Sequence, residues 1–202
     1  MQHVTLDRRP HRPARGLAFL GDLTLTPARV HEFCGPARQT LAMMVAGANE
    51  GPVFWIAPGW GTSRLHGPGM VPFADPARFI FVQVDRAEDV LWALQETLRA
   101  GVVPLVVGEM DKPPALTPIR RLHLAAETGT QLSGRAPTAL LLTPDGGAQG
   151  VESRWHMAPD HWPDPDRWAL SRQRARSDPP RHWSVRPQGN GFALTPPRSE
   201  RP

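Results

Sequence analysis

The segment from Gly35 to Thr40 contains residues that could face a phosphate group. It follows an apolar, strand-like run, and from Gln39 onward apolar residues recur at the spacing of one helix face. A phosphate loop at such a strand-to-helix turn needs glycines that let backbone N–H groups converge, a Lys for the terminal phosphates and a Ser or Thr for magnesium. The segment supplies Gly35, Pro36, Arg38, Gln39 and Thr40.

This segment departs from a working phosphate loop in three ways. It is too short, its second glycine is absent, and Gln39 stands where the Lys would be. Lys112, the single Lys of the chain, lies elsewhere, and the planar guanidinium of Arg38 is a poor substitute for a compact ammonium. We therefore predict a degenerate phosphate loop with no catalytic residue, no bound cofactor and no metal, and hence no appreciable ATPase activity.

A second group of residues could bind a polyanion. If Arg167–Arg176 forms a strand, alternate side chains share one face, which would carry Trp168, Arg172, Arg174 and Arg176. Successive guanidinium groups would then lie roughly 6.6 Å apart, a spacing similar to that of an extended phosphate backbone. Four further residues extend this candidate site for single-stranded DNA or an acidic partner: Arg154, Arg181, Trp183 and Arg186. The alternative is that the Arg side chains solvate an exposed sheet face while the Trp side chains pack beneath it.

The composition limits how much weight the Arg residues can carry. The 202 residues include 23 basic side chains, of which only Lys112 is not Arg, and the formal net charge is +4. Such an excess of Arg over Lys is also typical of a codon bias. The number of Arg residues therefore does not indicate phosphate binding, and only their placement can. Cys34 is the single cysteine, which excludes an internal disulfide and favours a reducing, cytoplasmic location. The longest apolar stretches are far shorter than the ~20 residues that span a bilayer, so no membrane helix is expected.

The order of apolar runs predicts an α/β protein with a largely parallel central sheet flanked by helices and a C-terminal antiparallel β extension. Residues 1–15 have the composition of a flexible basic arm, 16–158 that of the α/β core, and 159–202 that of the extension followed by a disordered tail. The predicted strands of the core are Leu17–Leu25, Arg29–Cys34, Val53–Ala57, Phe79–Val84, Val102–Val107 and Thr138–Thr143. Later strands are predicted at Arg154–Met157, Arg167–Arg176, His182–Arg186 and Phe192–Thr195.

Local signals predict the bounds of two helices and the place of one strand in the sheet. Asp85 and Glu88 have the spacing of a capping box, which would open a helix that Gly101 ends. Thr117 before Pro118 predicts the start of a second helix, which runs to about Thr128. Pro104 within an apolar run predicts that this strand lies at an edge or contains a bulge.

The segment from Glu32 to Ala42 resembles the start of a RecA-type ATPase core, in which a strand ending in Glu-hydrophobic-x-Gly-Pro leads into a phosphate loop. The C-terminal segments Val151–Trp155 and Trp168–Val185 resemble more specifically the ImuA family, small RecA-related proteins of the bacterial damage-inducible mutagenesis system. The resemblance implies a RecA-like core and a non-catalytic role in the SOS response to DNA damage. The implied partners are an ImuB-type Y-family polymerase homologue, an error-prone replicative-type polymerase and RecA itself, with single-stranded DNA as a further ligand. The loop Pro144–Gly150 matches a DNA-contacting loop of RecA.

The chain also departs from the RecA pattern at two strand ends. Val53–Ala57 is followed by Pro58-Gly59-Trp60, where a catalytic Glu would be expected, and Glu109 stands near the position of the magnesium-binding Asp. Glu109 could instead pair with its neighbours Asp111 and Lys112, or lie in a solvated loop. Two rival functions remain open at this point: a cell-division inhibitor related to SulA, and a nucleotide-dependent enzyme with a degenerate phosphate loop.

Overall fold

The computed structural model describes residues 16–61, 64–162, 165–189 and 191–197. The predicted basic arm and residues 198–202 of the predicted tail lie outside the described residues. The described strands are β1 (Leu17–Leu20), β2 (Leu23–Leu25), β3 (Val30–Cys34), β4 (Val53–Pro58), β5 (Phe79–Val84), β6 (Leu105–Glu109), β7 (Thr138–Thr143), β8 (Ser153–Pro159), β9 (Trp168–Ala175), β10 (Arg181–Gln188) and β11 (Gly191–Thr195). The described helices are α1 (Arg38–Gly47), α2 (Gly67–Met70), α3 (Ala87–Ala100) and α4 (Leu116–Ser133).

The protein is a mixed α/β structure built on one large, mostly parallel sheet flanked by helices. Within the described residues this sheet has nine strands in the order β11-β10-β9-β8-β3-β7-β6-β4-β5. The six strands from β8 to β5 run parallel to their neighbours, whereas β9, β10 and β11 are added antiparallel. Strand β8 is therefore the junction, parallel to β3 on one side and antiparallel to β9 on the other.

Two apolar cores form because the central strands are buried on both faces. All six residues of β7 are buried, as continuous apolar runs in parallel strands predict. On one face the sheet packs against α1 and the β1-β2 hairpin, and the other face packs against α3 and α4. We call these the α1 face and the α3-α4 face. None of the described helices is both long and apolar enough to cross a membrane.

The structure corrects several predicted boundaries. Leu17–Leu25 is not one strand but the hairpin β1-β2, which forms its own small sheet. The predicted capping box is wrong, because α3 begins at Ala87 and its N-cap residue, Arg86, pairs with Glu88 and Asp89 instead. Gly101 does end α3, in the left-handed conformation that the prediction required.

Two prolines also lie differently from the predictions. Strand β6 begins after Pro104 and lies between β4 and β7, so it is neither an edge strand nor bulged. Helix α4 begins at Leu116, two residues before Pro118, and continues to Ser133. A proline in the first helical turn is tolerated there because its missing N–H would have no partner within the helix.

The C-terminal strands complete the core on the α1 face. Trp168, Leu170, Trp183 and Val185 are buried in the same apolar cluster as Leu41 of α1. The ring of Trp183 stacks on that of Trp155, with centroids 5.8 Å apart. Trp168 and Trp183, which were predicted to belong to the candidate DNA- or partner-binding site, are therefore buried, as in the alternative in which they pack beneath the sheet.

Deleting residues 160–202 is therefore expected to unfold the protein. Each large apolar side chain buried in the core contributes roughly 1.5–3 kcal/mol, and whole domains are stable by only about 5–15 kcal/mol. A circular-dichroism melt should show no cooperative transition for this truncation. The matched control, a chain ending at Thr195, retains all of β11 and should melt within a few degrees of the full chain. A cooperative melt of the shorter chain would contradict the packing role of these strands.

Candidate functional site

The predicted phosphate-loop segment forms a tight turn between β3 and α1 at the centre of the sheet. Gly35 has a φ of +89°, in the region that favours glycine. A Cβ atom on Gly35 would lie 2.6 Å from the carbonyl oxygen of Met157 and 2.7 Å from Nε2 of His156. Gly35 is thus required by the close approach of β8, whether or not a phosphate binds.

The backbone N–H groups of this turn are used within the protein. The Gly35 N–H donates to the Pro144 carbonyl at 2.8 Å, and the Ala37 N–H donates to the Met157 carbonyl at 3.0 Å. The Arg38 N–H donates to the Gly35 carbonyl at 3.3 Å, and Pro36 has no N–H. A phosphate loop works because such donors converge on phosphate oxygens. Here those donors already have protein acceptors.

Side chains close the same turn from the direction of β6. The Gln39 Nε2 donates to both carboxylate oxygens of Glu109, at 3.1 and 3.0 Å, and the Trp55 indole N–H donates to Glu109 at 2.6 Å. From the sequence, Glu109 was expected to pair with Asp111 and Lys112 or to lie in a solvated loop. Both expectations are wrong, because Glu109 is the last residue of β6 and bonds to Gln39 and Trp55. A carboxylate at this position would repel a phosphate.

Arg38 and Thr40, two further residues of the predicted loop, lie in the first turn of α1. The Arg38 guanidinium donates to the Gly35 carbonyl at 3.1 Å, so it folds back on the turn. Thr40 lies in the first turn of α1 and is half-buried. The five predicted loop residues are therefore adjacent, as expected, and three of them, Gly35, Arg38 and Gln39, bond to other groups of the protein.

A buried carboxylate next to this turn was missed by the sequence analysis. Glu32, in the middle of β3, is fully buried on the α3-α4 face. It accepts hydrogen bonds from the Thr143 hydroxyl at 2.8 Å, from the N–H groups of Gly147 and Ala148, and from Arg154 Nε at 2.5 Å. The signal that could have revealed it is a charged residue inside an otherwise apolar strand, because buried carboxylates need such partners.

Glu32 fixes the loop that the RecA resemblance assigned to DNA contact. Two of its donors are backbone N–H groups of Pro144–Gly150, and Arg154 also donates to the Ala148 carbonyl at 2.8 Å. Arg154, a predicted DNA-binding residue, is thus paired with Glu32, and its side chain is only 18% exposed. The loop and Arg154 have a structural role in this arrangement.

The predicted stripe of Arg172, Arg174 and Arg176 is split between the two faces of the sheet. In the pairing of β8 with β9, Arg154 lies opposite Arg174 and Trp155 lies opposite Arg172, so Gln173 is an extra residue in β9. Such a β-bulge reverses the alternation of side chains beyond it. Arg172 consequently lies on the α1 face, whereas Arg174 and Arg176 lie on the α3-α4 face. The prediction of one shared face is wrong for this reason.

The remaining predicted binding residues have different surroundings. Arg172 contacts the rings of Trp155 and Trp183 at 5.5 and 5.6 Å, and Arg181 lies 5.3 Å from the ring of Trp183. These contacts are cation–π interactions, which stabilise the fold. Arg176 pairs with Glu152 at 3.3 Å. Arg174 and Arg186 are exposed, and no carboxylate among the described residues lies within ion-pair distance of them.

Comparison of the chain with models of known protein families and with curated proteins gave no match.

A second buried polar group, His31, lies on the α1 face of β3. The Trp155 indole N–H donates to the Ser153 hydroxyl oxygen at 2.7 Å, so we assign the Ser153 proton to His31 Nδ1, 2.6 Å away. The other ring nitrogen, Nε2, lies 2.9 Å from the Thr26 carbonyl and donates to it. This network requires a neutral imidazole, and burial lowers the pKa of His31 from 6.5 to about 4.

Replacing Glu32 is expected to cost much more stability than replacing an exposed glutamate. Glu32→Gln leaves the Arg154 guanidinium buried without its counter-charge, a loss of about 3–5 kcal/mol. Glu127→Gln is the matched control, because Glu127 also pairs with an Arg but is 45% exposed, and it should cost less than about 1 kcal/mol. Urea unfolding followed by tryptophan fluorescence measures both. Equal losses for the two variants would contradict the account of Glu32.

The pKa of His31 predicts a loss of stability in mild acid. Below pH 6.5 the unfolded chain binds a proton at His31 that the folded chain does not bind until about pH 4. The contribution of the neutral His31 to the free energy of unfolding is therefore fully present above pH 6.5. It falls as the pH approaches 4, by up to about 3 kcal/mol. The difference in unfolding free energy between the natural chain and His31→Asn should shrink over this range. A difference that is independent of pH would contradict the prediction.

Proposed function

We propose that the protein is a non-catalytic, RecA-like accessory protein of the bacterial SOS response. It acts in the cytoplasm and supports damage-induced translesion synthesis and mutagenesis through protein partners and single-stranded DNA. The proposed partners follow from the resemblance to the ImuA family: an ImuB-type Y-family polymerase homologue, an error-prone replicative-type polymerase and RecA.

The observation that carries the non-catalytic part is the closed turn at Gly35. A strand, a glycine turn and a helix lie at the centre of a parallel sheet, which is the setting of a phosphate loop. The backbone donors of Gly35, Ala37 and Arg38 nevertheless bond to protein carbonyls, and Gln39 bonds to Glu109. The setting supports a RecA-like core with a C-terminal antiparallel extension, and the contacts favour a protein that does not use nucleotide.

An exposed edge strand favours a function in protein binding. Strand β5 ends the sheet, and its sequence FIFVQV contains no charge and no proline. Ile80 and Phe81 are 45% and 52% exposed, one on each face of the strand. Natural sheets usually protect a free edge with charges, prolines or bulges, whereas an unprotected apolar edge can pair with a strand of another protein. This feature favours an adaptor over a nucleotide-dependent enzyme.

The protein is expected not to bind magnesium-ATP in equilibrium dialysis. Gln39→Lys, which restores the missing charge, should not restore binding, because a Lys at this position would pair with Glu109 and the N–H groups of Gly35, Ala37 and Arg38 would still be occupied. A micromolar dissociation constant for the natural chain would contradict the non-catalytic proposal. Binding by the variant alone would show that charge, rather than the occupied donors, excludes the nucleotide.

Capture of partners by the full chain from DNA-damaged cells tests the functional class. We expect the Y-family polymerase homologue to be recovered, and Phe81→Glu on β5 to reduce its recovery. Leu132→Glu, at a residue of α4 that is 73% exposed, is the control and should leave recovery unchanged. Recovery of a tubulin-like division protein in place of the polymerase would support the SulA-like alternative and overturn the proposal.

A further inference from the structure

The antiparallel half of the sheet has one face that contributes to neither apolar core. On the α1 face, Trp168, Leu170, Trp183 and Val185 are buried. The residues that alternate with them point to the opposite side, and the core under α3 and α4 contains no residue of β9, β10 or β11. Of these residues, Ala169, His182 and Arg186 are exposed. We call this surface of β8, β9 and β10 the open sheet face.

The strand register orders the side chains of the open sheet face into lines across the strands. His156, Ser171 and His182 lie side by side on β8, β9 and β10. Ala158, Ala169 and Ser184 form the next line toward the start of β9, where Ser184 is buried and its hydroxyl accepts hydrogen bonds from the Arg167 guanidinium. Neighbouring strands are about 4.8 Å apart, and successive lines are roughly 6.6 Å apart along a strand. The result is a strip of small residues, bordered near its middle by two imidazole rings.

At each end of this strip lies an Arg residue that has no ion-pair partner among the described residues. Beyond the bulge, Arg174 lies on the line of Arg154, and Arg186 lies two residues beyond Ser184 on β10. Three acidic groups nearby pair within the protein: Glu32 with Arg154, Glu152 with Arg176 and Asp160 with Arg167. Asp166 borders the hollow at the Arg186 end. From Arg174 to Arg186 the strip is about 20 Å long.

We infer that the open sheet face binds a single-stranded polynucleotide that runs along β9 between Arg174 and Arg186. This inference rests on the proposed function for its ligand and assigns that ligand to a surface. Arg174 and Arg186 contact phosphates, the small residues Ala158, Ala169 and Ser171 leave room for flat bases, and the imidazoles of His156 and His182 offer rings for stacking. Flat sheet surfaces that combine stacking rings with basic residues bind single strands in this way.

The chemistry of the face favours a polynucleotide over an acidic peptide. An acidic peptide would be held by its side chains and needs closely spaced cations, whereas Arg174 and Arg186 are separated by a strip of small and ring-bearing residues. A duplex keeps its bases stacked inside, so it could use only the two phosphate contacts. The inferred order of affinity is therefore single strand, then duplex, then polyglutamate.

Fluorescence anisotropy with a labelled oligothymidylate of about 20 nucleotides tests the assignment. The double variant Arg174→Ala/Arg186→Ala should bind roughly tenfold more weakly at low salt, and its salt slope should fall by about 1.4, or 0.7 for each lost phosphate contact. The control is Arg120→Ala/Arg121→Ala, which removes the same charge from exposed positions on α4. His182→Ala should weaken binding without changing the salt slope, because it removes a stacking ring and no phosphate contact.

Each outcome of this experiment decides the inference. If the Arg174/Arg186 variant binds like the Arg120/Arg121 control, the binding depends on net charge and the assignment is overturned. The same holds if polyglutamate competes as well as the oligothymidylate, or if the natural chain binds no oligonucleotide. These failures leave the capture of the polymerase homologue unaffected, so they are distinguishable from failure of the proposed function in protein binding. Only the last of them would also remove single-stranded DNA from the proposed function. Melting temperatures of all variants within a few degrees of the natural chain exclude unfolding as the cause.

Discussion

The buried carboxylate of Glu32 is the interaction on which the functional end of the sheet depends. A carboxylate in an apolar interior is tolerated only when donors surround it, and here they come from residues 143–154, more than 110 residues away in sequence. The Thr143 hydroxyl ends β7, the Gly147 and Ala148 N–H groups belong to the loop after it, and Arg154 belongs to β8. This one group therefore connects the middle of β3 to the end of β7, to the loop after β7 and to the start of β8.

The closed turn at Gly35 follows from this arrangement. With the loop after β7 and strand β8 fixed, the Pro144 and Met157 carbonyls accept hydrogen bonds from the Gly35 and Ala37 N–H groups. An N-terminal helix turn ordinarily has free donors that attract an anion. Here the Gly35, Ala37 and Arg38 N–H groups already donate to protein carbonyls, and Glu109 adds a negative charge nearby. The same scaffold that would position a nucleotide thus becomes a rigid support for surfaces elsewhere on the sheet.

Much of the fold could be predicted from the sequence, because its signals are local. The runs Phe79–Val84 and Thr138–Thr143 are strands with the predicted bounds, and the helix after the Gly35 turn begins within one residue of its predicted start. The candidate sites were harder, because they depend on pairing between distant residues. Alternation in β9 predicted one Arg stripe, but the bulge at Gln173 is set by the partner strand. The pairing of Glu32 with Arg154, 122 residues away, had no local signal beyond a charge in an apolar strand.

Hydrogen exchange of individual backbone amides, followed by NMR without any ligand, tests the central claim most directly. If the donors of the turn are bonded within the protein, the Gly35 and Ala37 amides should be protected to a similar extent as amides of the central strands, because both donate to protein carbonyls. The Ala148 amide, which donates to Glu32, should be protected as well, and Glu32→Gln should lower the protection of all three. Fast exchange of the Gly35 and Ala37 amides in the natural chain would mean that these donors are free for a phosphate, and would contradict the account.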